Sequence, residues 1–145
     1  MALDHTIQAG IEHDLYRYRR WTARYAQVLE ELRAALDATG YHMAQVSQRQ
    51  RRASDPTWRA VQRREDLERE AQELERKIKR VNRALEAMDP EQRRLVELYY
   101  FERAPRWEVM DQLGISRRQF YRLRAGALET YAYVAGLVSD SQATA

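Results

Sequence analysis

The sequence predicts an all-α protein, a long antiparallel helical hairpin followed by a C-terminal helix-turn-helix domain. Three observations predict it. About a third of the 145 residues are charged, while Gly and Pro number only five and three, a composition that suits long helices. Two long stretches repeat apolar residues at steps of four and three, the spacing of one helical face. Near the end, LGISRRQFYRLR (Leu113 to Arg124) sets four arginines behind a glycine turn. A chain of this length has room for one domain, or for one small domain with an extension.

The first seam runs Ile11, Leu15, Tyr18, Thr22, Tyr25, Leu29, Leu32, Leu36, with Asp14, Arg17, Arg24 and Glu31 on other faces. Glycine adopts the left-handed conformation that ends helices, so this helix should stop at Thr39-Gly40. The segment YHMAQVSQRQRRASDPTW follows, polar and basic, and Asp55-Pro56 supplies a cap and a first-turn proline for a second helix from about Pro56. Its seam is Leu67, Ala71, Leu74, Ile78, Val81, Leu85, Met88. Two such stripes bury most simply against each other, or against copies of the chain in a homo-oligomer. Residues 1–88 are therefore expected to form a hairpin for dimerisation or partner contact, with a basic loop over 40–55.

A second domain is expected over 89–138, beginning at MDPEQ, where Asp89 can cap, Pro90 can fill the first turn and Glu91 suits the positive end of the helix dipole. Three helices are predicted there: Glu91 to about Arg103, about Arg106 to Leu113, and Ser116 onward. Leu98, Trp107, Met110, Leu113, Ile115, Phe120 and Leu123 are spaced to share one apolar centre. The tail, 139–145, is small and polar and is expected to fray.

Gly114, Ile115 and Ser116 are the sharpest signal. A helix-turn-helix needs a residue that bends freely, an apolar plug for the bend and a cap for the second helix, and these three supply them in order. With Phe120 and Leu123 inward, Arg117, Arg118, Gln119, Tyr121, Arg122 and Arg124 are expected to face outward. No acidic residue stands between Ile115 and Leu128. In a recognition helix, N-terminal residues enter the major groove, where arginine pairs with guanine and glutamine with adenine. The expected partner is double-stranded DNA. Arg117, Arg118 and Gln119 are candidates for base edges, Tyr121 and Arg122 for either task, and Arg124 with Arg106 for phosphate, with Ser116 at the cap. The structural alternative is that arginines merely solvate a helix face. A second basic knot, Arg49, Arg51 and Arg52, is a candidate for further phosphate contacts.

Other chemistry finds little footing. The absence of cysteine excludes disulfides and thiolate metal sites and fits a reducing, cytoplasmic setting. His5, His13 and His42 do not converge as metal ligands require. No catalytic constellation and no cofactor motif is visible, so a non-enzyme is expected. No apolar run approaches the ~20 residues of a membrane span. Tyr16, Tyr18 and Tyr25, set among arginines, are expected to pack inward rather than stack on nucleic acid.

SDPT at Ser54 to Thr57, MDPEQRRLVELYYFER at Met88 to Arg103 and WEVMDQLGISRRQFYRLR at Trp107 to Arg124 together resemble the RinA and ArpU-like phage regulators. Tyr99-Tyr100-Phe101 and Tyr121-Arg122-Leu123 also resemble the region-four helix-turn-helix of bacterial sigma factors. The likeness runs from about Ser54 to Ala132. It implies a phage late-gene activator that acts with host RNA polymerase in the bacterial cytoplasm. A small terminase subunit, which joins the same motif to long helices in a ring, is the alternative. A pure interaction protein with an acidic partner is the third reading.

Overall fold

A computed structural model of the chain describes residues 3–45 and 56–139, the side chains of 38–45 excepted. Its regular structure is helical, with no strand among the described residues. In order come α1 (His5–Gln45), α2 (Pro56–Ala87), α3 (Pro90–Val96), a π-helical segment (Glu97–Phe101), α4 (Arg106–Leu113) and α5 (Arg117–Val134). Pro56, Pro90, Arg106 and Leu113 stand where the sequence placed the helix ends. Gly40 does not end α1, which continues to Gln45. Glycine costs a helix interior about 1 kcal/mol relative to alanine, which weakens a helix without breaking it. Arg49, Arg51, Arg52 and the remainder of the expected basic loop lie outside the described residues.

The chain divides into two compact units, residues 20–77 and residues 1–19 with 78–145. Within the first, Val28, Val61, Leu67, Ala71 and Leu74 are buried. Arg24 meets Glu70 through two hydrogen bonds, from Nε at 2.8 Å and from Nη2 at 2.9 Å. Those bonds raise the Arg24 pKa and lower that of Glu70. Lys77 lies 5.3 Å from the Trp21 ring centroid. The α2 seam is inward as expected, but the α1 seam is not continuous. Val28 is buried, while Leu29 and Leu36 are 42% and 45% exposed. Among the described residues of 20–77 the neighbour of α1 is α2, whereas residues 5–19 also meet the C-terminal helices. One helix facing two sets of neighbours does not keep one stripe.

The second unit has its core in Ile11, Leu15, Val81, Leu95, Leu98, Tyr100, Phe120 and Tyr131, each essentially without exposed surface. Aromatic contacts tie it together. The Tyr16 ring meets Tyr100 edge-on at 5.0 Å, and Tyr18 stacks on Phe101 at 4.7 Å while its hydroxyl donates to Asn82 Oδ1. Tyr16 and Tyr18 therefore pack inward, as the amphipathic pattern predicts.

Buried hydroxyls carry the polar side of this packing. Tyr100 donates to Glu12 Oε2 at 2.8 Å and Tyr131 to Asp14 Oδ2 at 3.0 Å. Burial raises the pKa of both phenols well above the ordinary tyrosine value, and the neighbouring carboxylates add to the effect. In the unfolded chain the same groups ionise near 10. The folded state thus holds more protons above that pH. Stability is fully present below pH 10 and falls as pH rises beyond it, by up to about 1.4 kcal/mol per pH unit for each tyrosine. Urea unfolding at pH 8 and pH 11 should show this loss, and Tyr100→Phe with Tyr131→Phe should flatten it. An unchanged midpoint at pH 11 would contradict the buried placement.

The helix expected to run from Glu91 to about Arg103 is two segments. After α3 the backbone widens into the π-helical segment, where Glu102 N–H donates to Glu97 O at 2.9 Å across five residues. Arg103 then takes a left-handed φ of 56° and Ala104 N–H closes on Leu98 O at 2.9 Å. No glycine marks this end. Arg103 is held there by Tyr16, whose carbonyl accepts from Nη2 at 3.3 Å and whose ring lies 5.1 Å from the guanidinium.

Candidate nucleic-acid interface

The turn between α4 and α5 is built from backbone geometry upward. Gly114 has φ 63° and ψ 41°, the left-handed conformation, and its N–H donates to Asp111 O at 3.3 Å. Ile115 N–H reaches back to Met110 O at 3.1 Å. This pair of bonds satisfies carbonyls that the end of α4 leaves open. A side chain on Gly114 would meet no atom within 4 Å. The requirement for glycine is conformational, since other residues pay about 1–2 kcal/mol in this region.

Ser116 then starts α5. Its Oγ accepts from Gln119 N–H at 3.2 Å, and its own N–H donates to Gln119 Oε1 at 2.8 Å. Two otherwise open donors are satisfied reciprocally. Gln119 is thereby placed in the cap. Bidentate pairing with adenine would require it to leave.

Behind the cap Phe120 is fully buried, with Tyr99 edge-on at 5.2 Å. In front, Arg117, Arg118, Tyr121 and Arg122 are exposed. Arg106, the first residue of α4, joins them across the turn by donating from Nη1 to the Tyr121 hydroxyl. Its guanidinium lies 5.6 Å from the Tyr121 ring centroid, and that of Arg117 lies 5.9 Å away. The Arg106 hydrogen bond, with the charges of Arg106 and Arg117, lowers the Tyr121 pKa below the ordinary tyrosine value. Among the described residues, no carboxylate lies within ion-pair distance of Arg106, Arg117, Arg118 or Arg122.

Arg124 is placed differently from the expectation that it faces outward. Its Nε donates to the Tyr100 hydroxyl at 3.1 Å and its Nη2 to Glu12 Oε2 at 3.2 Å, with the side chain only 22% exposed. Seven residues beyond Arg117, it points where α5 meets the first turns of α1, so it orients the helix.

Trp107 corrects a second expectation. It is 71% exposed, and Val109 takes the core place expected for it. Two residues along a helix is a rotation of about 200°, so Trp107 and Val109 face opposite ways. Met110, Leu113, Ile115 and Leu123 are half-buried.

Glu12, Asp14, Tyr100 and Tyr131 hold α5 in place, a role that the sequence does not assign to any of them. Among the described residues there is no group of acidic or histidine side chains placed to hold a metal ion, and no helix is long and apolar enough to cross a membrane. A family model described as "Protein of unknown function (DUF1492)" matches residues 35–131. No curated protein matches the chain, and no solved structure does.

Proposed function

Because the chain belongs to the DUF1492 family, whose description assigns no activity, we propose a function from the chain's own geometry: sequence-specific binding of double-stranded DNA by α5, in the service of transcription regulation. In this reading α1 and α2 form the long antiparallel hairpin and residues 89–138 the helix-turn-helix. The observation that carries it is the exposed, carboxylate-free cation face of a capped helix that follows a left-handed glycine turn. Arg124, drawn into the packing, has an acidic partner in Glu12. The arginines of the α5 front have none among the described residues, and a polyanion supplies what they lack.

Arg118 and Arg122, four residues apart and so on one face, are the base-reading pair. Arg124 acts through the position of α5 and not by touching DNA. The RinA and ArpU-like resemblance adds the setting, a phage late promoter read together with host RNA polymerase, with the chain as a homo-oligomer.

The test is fluorescence anisotropy of the purified chain with random-sequence duplexes across a salt series, followed by selection of a preferred site from that pool. Binding whose log affinity falls with log salt by about 0.9 per phosphate contacted, together with enrichment of one sequence, is the expected result. No binding at low salt would overturn the reading and favour an acidic protein partner. Light scattering on the same sample separates a dimer, which suits two half-sites, from a ring of many subunits, which suits DNA packaging.

A further inference from the structure

The face of α5 divides into two rows, and one of them has the makings of a discrete anion site. Arg117 and Tyr121 stand one turn apart on α5, and Arg106 reaches the same phenol from the start of α4. Two guanidiniums are thus gathered at one aromatic ring, 5.6 Å and 5.9 Å from its centroid. Both positive charges therefore stand beside one phenol, where an anion would offset their mutual repulsion. Among the described residues no carboxylate supplies one.

We propose that Arg106, Arg117 and Tyr121 form one site that binds a single backbone phosphodiester of duplex DNA. The inference rests on the DNA-binding reading and deepens it by naming which contacts position the protein. The Tyr121 hydroxyl accepts from Arg106, which leaves its own hydrogen free to donate to a phosphate oxygen. The two guanidiniums supply charge-assisted donors to the remaining oxygens. The phenol is 41% exposed, so the site is open to a duplex.

A phosphate held here contacts both helices of the turn at once. It therefore fixes the register of α4 and α5 on the backbone, the task of phosphate contacts generally. Arg117 leaves the base-reading set by the same argument. Its side chain is spent on the row with Tyr121, while Arg118 and Arg122 occupy the neighbouring row.

Methylphosphonate substitution, which removes the charge of one phosphate at a time, tests this on the duplex selected by the wild-type chain. Wild type, Arg106→Ala/Arg117→Ala and Arg106→Lys/Arg117→Lys are each scanned against every substituted position, with circular dichroism melts to establish that all are folded. At one phosphate per bound α5, wild type should lose about tenfold in affinity, the size of one charged hydrogen-bond contact. The alanine pair should lose its sensitivity at that phosphate alone and keep it elsewhere. The lysine pair should retain it, because the charges remain.

If wild type binds duplex but the alanine pair stays as sensitive as wild type at every phosphate, the proposed site is wrong and the DNA-binding reading stands. Loss of sensitivity at two separate phosphates would also overturn it, since each arginine would then hold its own. If wild type binds no duplex, both fall together.

Discussion

Phe120→Ala lowers the stability of the chain by about 3–5 kcal/mol, the usual cost of emptying a phenylalanine site in a core. Three observations place it at the upper end of what single substitutions do. Phe120 has no exposed surface. Tyr99 packs edge-on against it at 5.2 Å, an arrangement worth about 0.5–1.5 kcal/mol beyond the area it buries. Its backbone N–H closes the first turn of α5 on Ser116 O at 2.9 Å, so the emptied site lies directly beneath the start of the helix. Against a total stability of about 5–15 kcal/mol for a domain of this size, the loss leaves little margin. Urea unfolding followed by far-UV circular dichroism measures it, and Phe120→Leu should cost much less because most of the volume is kept. A loss below about 1 kcal/mol for the alanine variant would show that Phe120 is not the residue on which α5 is seated.

What could be read from the sequence divides along the distance over which each feature is determined. Caps and turns depend on neighbours three or four residues away, and Pro90, Gly114 and Ser116 were legible for that reason. The inward side of α2 was legible because Leu67, Ala71, Leu74 and Val81 recur on one helical face and are buried along it. Trp107 was not, because on a helix as short as Arg106–Leu113 the choice between Trp107 and Val109 as the inward residue is set by neighbouring helices. Tyr100, within the π-helical segment, reaches Glu12, 88 residues away in the chain. Arg124 is the clearest case. Its spacing from Arg117 reads as a continuation of the cation face, yet Glu12, 112 residues distant, draws it inward. A carboxylate so remote in sequence leaves no local trace. The same residue type on one helix thus stands in two settings, and the presence of an acid partner distinguishes them.

Replacing Arg118 or Arg122 by alanine weakens binding to the selected site by about 1–3 kcal/mol each, roughly 5- to 150-fold, if each makes a bidentate contact with a guanine. On random duplex the loss is much smaller, since there only a diffuse charge is removed. The ratio of the two affinities is the informative quantity. Both residues are exposed and have no ion-pair partner among the described residues, so stability should stay within about 0.5 kcal/mol of wild type. That separates these variants from Phe120→Ala, which loses binding by losing the fold. It separates them also from variants at Arg106 and Arg117, whose losses should be alike on selected and random duplex, because a phosphate carries no sequence. Competition anisotropy with the selected site, single-base variants of it and random duplex makes the comparison in one series. If Arg118→Ala and Arg122→Ala lose equally on all of them, the two arginines are phosphate contacts like their neighbours. Sequence would then be read elsewhere, and exposed Trp107 would be the next residue to substitute.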